Sequence, residues 1–258
     1  MKNSNKNKTK TFGKVFAISL ALVAICLTLT MADLFSSLIT VGGFTFTGND
    51  INISNYKIYA VCTNNSETKV QANENANICK MQGGAGFVYI YESKFYTIAS
   101  MYENESDANN VLKNIKQTHQ NACIITITIP AISIASNLSG EEKTTLESAV
   151  NIFKNTYKKL YDVSVSLDTA LITEVNARLS VNSIGSEITS VSSNFTTLFN
   201  TQMTNSFLII KLKLSELSDC LDSLINTSPS IPYTSRIKNT YCKIIELYKN
   251  LGSSLNNA

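Results

Sequence analysis

Six cysteines, one histidine and nineteen carboxylates are the side chains in this chain that could do chemistry. Their spacing argues against most of it. No two cysteines stand in C-x-x-C order, and His119 has no second histidine with which to share a metal, so no zinc site is expected. The sequence carries neither a G-x-S-x-G nucleophile elbow nor a P-loop. His119 lies in Gln117-Thr118-His119-Gln120, a polar helix end where it complements the helix dipole. Glu141-Glu142 opens a helix and reads as a cap before it reads as a catalytic pair. A glycan hydrolase needs two acids across a cleft, and here the acids are scattered. The expectation is a protein that is not an enzyme and needs no cofactor.

The cysteines keep a different option open. Cys26 falls in an apolar run; Cys62, Cys79, Cys123, Cys220 and Cys242 follow it. On an oxidising side of a membrane an odd set permits disulfides with one thiol left over. Cys62–Cys79 and Cys220–Cys242 are the pairs to test first, with buried free thiols as the alternative.

Placement of these residues depends on the leader. Residues 15–32 contain no charge, Pro or Gly. As a helix this run would be about 27 Å long, close to the roughly 30 Å of a hydrocarbon core. Its Val, Phe, Ile and Leu residues favour insertion by roughly 3 to 5 kcal/mol. Lys2, Lys6, Lys8, Lys10 and Lys14 precede it, and no acid does. The positive-inside rule therefore predicts a cytoplasmic tail (1–14), one transmembrane helix (15–32) and an extracytoplasmic remainder in a cell membrane. The run is long for a cleaved signal peptide, and Thr30-Met31-Ala32 is a poor cleavage site. Beyond it, without the five leader lysines, acids exceed bases by two. That balance argues against a nucleic-acid partner, which needs a concentrated basic surface.

After a tether (33–55) punctuated by Gly42-Gly43 and Gly48-Asn49-Asp50, residues 56–130 repeat an order of elements. Tyr56 to Val61 reads as a strand by β-branched and aromatic content. Ser66 to Met81 reads as a helix ended by Gly83-Gly84. Phe87 to Tyr91 and Lys94 to Met101 are strands joined at Glu92-Ser93. Asn104 caps a second helix, and Cys123 to Ile129 is a fourth strand. Two βαβ-type halves joined by a hairpin predict a ferredoxin-like α+β sandwich with two helices on one face of a four-stranded antiparallel sheet and the other face open.

The run Phe95 to Tyr102, then Glu105-Ser106-Asp107-Ala108 and Leu112, resembles the second half of a SPOR domain; Tyr56 to Cys62 resembles the first half. The resemblance spans about 75 residues, 56–129, and implies binding to peptidoglycan glycan strands stripped of stem peptides, often at division septa. Side-chain alternation sends Ile58, Ala60 and Cys62, with Phe95, Thr97 and Ala99, toward the helices. It sends Tyr59, Tyr96, Ile98, Ser100, Thr126 and Thr128 to the open face. Aromatics beside hydroxyls suit a neutral sugar chain. The alternative is that these tyrosines pack against the C-terminal region.

A short linker (131–139) leads to a helical region, 140–256. Leu146, Val150, Phe153, Tyr157, Leu160, Leu167 and Leu171 form one apolar seam, which drifts through Val175 and Leu179 and stops near Ser183. A second runs from Ile184 to Leu224, and a third from Ile237 to Leu251 after Pro229 and Pro232. Three seams predict a three-helix bundle whose apolar faces are mostly core, part of a seam being free for a partner. Two functions follow: a membrane-anchored cell-wall protein of division or sporulation that binds glycan, or a membrane-anchored scaffold that binds division or sporulation proteins through the sheet face or the bundle.

Overall fold

In the computed structural model the described residues are 51–134, 138–201, 204–226 and 230–258. The tail, the expected transmembrane helix and Cys26 lie outside them. Among the described residues no helix is long and apolar enough to cross a membrane.

Four strands form the central sheet: β2 (Tyr56–Ser66), β3 (Phe87–Tyr91), β4 (Lys94–Tyr102) and β5 (Cys123–Ile129). Their order is β3-β4-β2-β5, with every neighbouring pair antiparallel. With α1 (Lys69–Met81) after β2 and α2 (Glu105–Ile115) after β4, this is the βαββαβ order read from the sequence. The β3–β4 connection is two residues, Glu92 and Ser93, both at positive φ (47° and 63°), as a twist-matched hairpin turn requires. Asn104 caps α2 as expected, its Oδ1 accepting from the Ser106 N–H at 2.8 Å. The cap of α1 is Thr68, not Ser66, because β2 runs on through Ser66.

Two expected linkers contain a second sheet. β1 (Ile51–Ile53) pairs antiparallel with β6 (Ile132–Ile134), burying Ile51, Ile132 and Ile134. This small ribbon ties the two ends of the βαββαβ region together.

The C-terminal region has four helices among the described residues, not three: α3 (Gly140–Asp168), α4 (Glu174–Phe199), α5 (Asn205–Asn226) and α6 (Tyr233–Leu255). Consecutive helices pack together and α6 closes on α3. The first break falls at Thr169–Thr173, well before Ser183, which is inside α4. Ala170 takes φ +54°, the Leu171 N–H bonds back to the Ser166 carbonyl at 2.9 Å, and Thr173 caps the next helix. The four-residue spacing Leu167-Leu171-Val175-Leu179 crosses this turn without a phase change, so periodicity could not reveal it. The second seam is likewise two helices, α4 and α5.

Ser139 and Glu142 make a reciprocal capping box at the start of α3, the Ser139 N–H donating to Glu142 Oε2 at 2.7 Å. The glutamate is therefore a cap, as expected. Ser139→Ala should lower stability by about 1 kcal/mol, measured as a shift in urea midpoint with unchanged slope.

The sheet is covered on both faces. On one, Thr97 Oγ1 donates to the Ala72 carbonyl of α1 at 3.4 Å, and small residues (Ala72, Ala76, Ala108) allow α1 and α2 to sit close. On the other, α6 crosses from β3 to β6. Its start is fixed by Ser235 donating to the Lys80 carbonyl (2.7 Å) and Asn239 donating to the Ala85 carbonyl (3.0 Å). Its end meets Pro130 at Gly252, and Asn256 donates to the Ala131 carbonyl at 2.9 Å. Ile58, Ile98, Ile125, Ile127 and Ile129 join one apolar core with Phe153 and Tyr157 of α3 and Tyr241, Ile244, Ile245 and Tyr248 of α6. At about 1.5–3 kcal/mol per buried isoleucine, covering these five contributes roughly 10 kcal/mol before entropy. A transient ligand could not compete with that, so this face is structural.

Candidate functional site

The six residues expected on one open face divide among three environments. Tyr96 and Ile98 lie on the face crossed by α6. Ile98 pairs with Phe87 and Cys62 and is fully buried; Tyr96 pairs with Tyr89, whose hydroxyl accepts from Lys249 of α6 at 2.7 Å. Tyr59 pairs with Thr126, and Lys57 with Thr128, so these residues share the opposite face from Ile58 and Ile127. Thr126 and Thr128 are exposed and Tyr59 is half-buried. The expectation of an open, tyrosine-rich face is therefore corrected.

The cause is local. Val61 pairs with Ser100, but Cys62 pairs with Ile98, leaving Ala99 as an extra residue in β4, and Asn64 then pairs with Thr97, leaving Thr63 as an extra residue in β2. One inserted residue reverses the phase of a strand whose period is two. Tyr59 matches Tyr102 in phase, while Ile98 on the far side of the bulge does not. Ile58, Ala60 and Cys62, expected under α1 and α2, belong instead with the core shared with α6. Thr97 and Ala99 do face α1: a Cβ added at Gly84 would meet both Cys79 Sγ and the Ala99 Cα.

Ser100 has a third fate. β3 pairs with residues 94–98 of β4 and stops, leaving the rest of β4 open to the helices. There the Ser100 and Tyr241 hydroxyls lie 2.6 Å apart, and Tyr157 donates to the Met101 carbonyl at 3.1 Å. Tyr157 meets Tyr241 edge-on at 5.5 Å, and Tyr102 meets Tyr161 at 5.9 Å. Burial, then neighbouring Cys242, pushes the Tyr241 phenol well above its usual range; burial and then Tyr102 push Tyr161 up to about 12. The Tyr241 and Tyr157 phenols are hydrogen-bonding posts between sheet and helices.

Among the described residues no cluster of three His, Cys, Asp or Glu side chains could hold a metal ion. His119 occupies the turn after α2, its N–H bonded to the Ile115 carbonyl at 2.8 Å. The five described cysteines are free, so neither Cys62–Cys79 nor Cys220–Cys242 is joined. The direct cross-strand partner of Cys62 is Cys123.

The feature that periodicity concealed is at the α3–α4 turn. Leu171, Val175 and Leu179, read as seam, are 78%, 67% and 63% exposed. Around the same end Arg178 stacks 4.2 Å over the Tyr233 ring, and Thr234 donates to Asp168 Oδ1 at 2.6 Å. The ends of α3, α4 and α6 are thus fixed to one another beneath an exposed leucine–valine stripe. No family model, curated protein or solved structure matches this chain.

Proposed function

We propose that this is a single-pass, membrane-anchored scaffold whose extracytoplasmic part binds a division or sporulation protein through its helical region. The observation that carries the reading is the exposed stripe Leu171, Val175 and Leu179 on a braced turn, where three large apolar side chains contribute little to the core. The anchor rests on the lysine-flanked apolar run. The buried sheet face is the scaffold's frame in this reading, since its apolar residues are already used by α6.

The test places a photo-crosslinking side chain at Val175 of the full chain in its own cells. One crosslinked partner of defined mass is expected, with at least a tenfold loss of adduct in the Leu171→Ser/Leu179→Ser variant and little change in melting temperature. An undiminished adduct in that variant would refute the stripe as the binding surface.

Glycan binding remains the second reading, favoured by one observation: Thr126 and Thr128 are exposed beside half-buried Tyr59 on the α2 side of β5. Co-sedimentation with amidase-treated peptidoglycan, abolished by Tyr59→Ala/Thr126→Ala, would support it over the scaffold reading.

A further inference from the structure

We infer that Cys62 and Cys123 form a redox-active cross-strand pair that closes to a disulfide by exchange with a low-molecular-weight disulfide. The two residues are direct partners in the β2–β5 ladder, whose register is unbroken from Tyr56↔Ile129 to Cys62↔Cys123. Direct antiparallel partners have Cα atoms about 4.5–5.5 Å apart, inside the roughly 4.4–6.8 Å window that a disulfide accepts. The pair is also asymmetric. Cys123 is the first residue of the edge strand β5 and is half-exposed, whereas Cys62 is fully buried in central β2 and donates its thiol hydrogen to the Ala60 carbonyl at 3.6 Å.

That asymmetry assigns the steps. Turned from the Ala60 carbonyl to Cys123, the Cys62 S–H hydrogen-bonds the Cys123 thiolate and brings its pKa down to about 7 despite burial. The Cys123 thiolate attacks a disulfide R–S–S–R, forming Cys123–S–S–R and releasing one RS⁻. The Cys62 sulfur then gives up its proton and attacks Cys123 Sγ, releasing the second RS⁻. Both protein thiols are oxidised, R–S–S–R is reduced to two thiols, and the two protons end on those thiols. The hydrogen bond to Cys123, and then burial, raise the Cys62 pKa, and with no solvent exposure it acts as the resolving thiol and not the entering one. Cys79 and Cys242 also lie near Cys62, and both are held well inside the fold with raised pKa values. They are the competing partners.

The experiment incubates the full chain, in detergent, with oxidised glutathione. Free thiols are then alkylated after unfolding and the peptides read by mass spectrometry. A linked Cys62–Cys123 peptide is expected in the folded protein, with Cys79, Cys220 and Cys242 alkylated. In Cys62→Ser the reaction should stop at glutathione on Cys123, and in Cys123→Ser no internal link should form. At pH 7 a thiol of pKa about 7 is about half thiolate against about 3% for an ordinary one, so allowing for its weaker nucleophilicity Cys123 should react about threefold faster than an unperturbed thiol. The inference is overturned if glutathione persists on Cys123 in the wild-type chain, if Cys62 joins Cys79 or Cys242, or if both Cys62 and Cys123 remain free. Because Cys123 is at the edge, Cys123→Ser should keep the fold even where Cys62→Ser does not.

Discussion

Ile98→Asp is expected to abolish cooperative folding at 25 °C, while Thr126→Ala leaves the denaturation midpoint within error of wild type. Ile98 is fully buried between Phe87 and Cys62 on the face that α6 crosses. Truncating such an isoleucine alone costs about 2–5 kcal/mol through lost burial and the cavity left behind. An unpaired carboxylate in the same place adds several kcal/mol more, or takes up a proton at comparable cost. The total approaches the whole 5–15 kcal/mol stability of an ordinary domain. Thr126 is exposed on the opposite face and loses only a solvated hydroxyl. Urea titrations followed by circular dichroism distinguish the cases, and Ile98→Ala supplies a milder variant with a measurable midpoint. Equal stability of all these variants would mean that α6 does not cover the sheet, and the glycan-facing assignment of Ile98 would return.

Gly86→Ala should lower the melting temperature by roughly 6–12 °C, against about 2–8 °C for Gly83→Ala. Both glycines have positive φ, +52° and +89°. The left-handed region alone costs an alanine roughly 1–2 kcal/mol. Their surroundings separate them. At Gly83 a Cβ meets nothing within 4 Å; at Gly86 it would lie 2.2 Å from the Ala76 carbonyl oxygen and 2.6 Å from Lys80 Cγ. The Ala76 carbonyl is main chain inside α1 and cannot turn aside as a side chain could. The entry to β3 must therefore move away from α1, and the Ala85 and Gly86 carbonyls that Asn239 bonds move with it. A clash that loosens both layers should cost about 3 kcal/mol, which at about 2–4 °C per kcal/mol for a chain of this size gives the stated fall. Calorimetry of the two variants side by side provides the check, and equal losses would show that strain alone is responsible.

The elements of the βαββαβ region were legible because each carries its own local signal. Phe87–Tyr91 and Cys123–Ile129 are dense in β-branched and aromatic residues and end in turn chemistry, Asn104 is a cap by side-chain type, and Glu92-Ser93 leaves no room for a longer loop. The β1–β6 ribbon was not legible. Three residues carry too little pattern to mark a strand, and the pairing joins Ile51 to Ile134 across the whole region. The α3–α4 turn escaped for the opposite reason, since an apolar spacing that continues in phase across a break cannot report it.

The chain's residue types and their spacing determined a lysine-flanked apolar leader, four strands and two helices in βαββαβ order, and a long helical region after them. Only the tertiary structure decided that the helical region lies on the sheet's second face, that Ala99 reverses the phase of β4, and that Leu171, Val175 and Leu179 point to solvent. The physical reason is distance along the chain. Periodicity records which face of an element is apolar, but the partner that covers the face is selected by packing between segments such as Ser100 and Tyr241, which are remote in sequence and joined by one hydrogen bond.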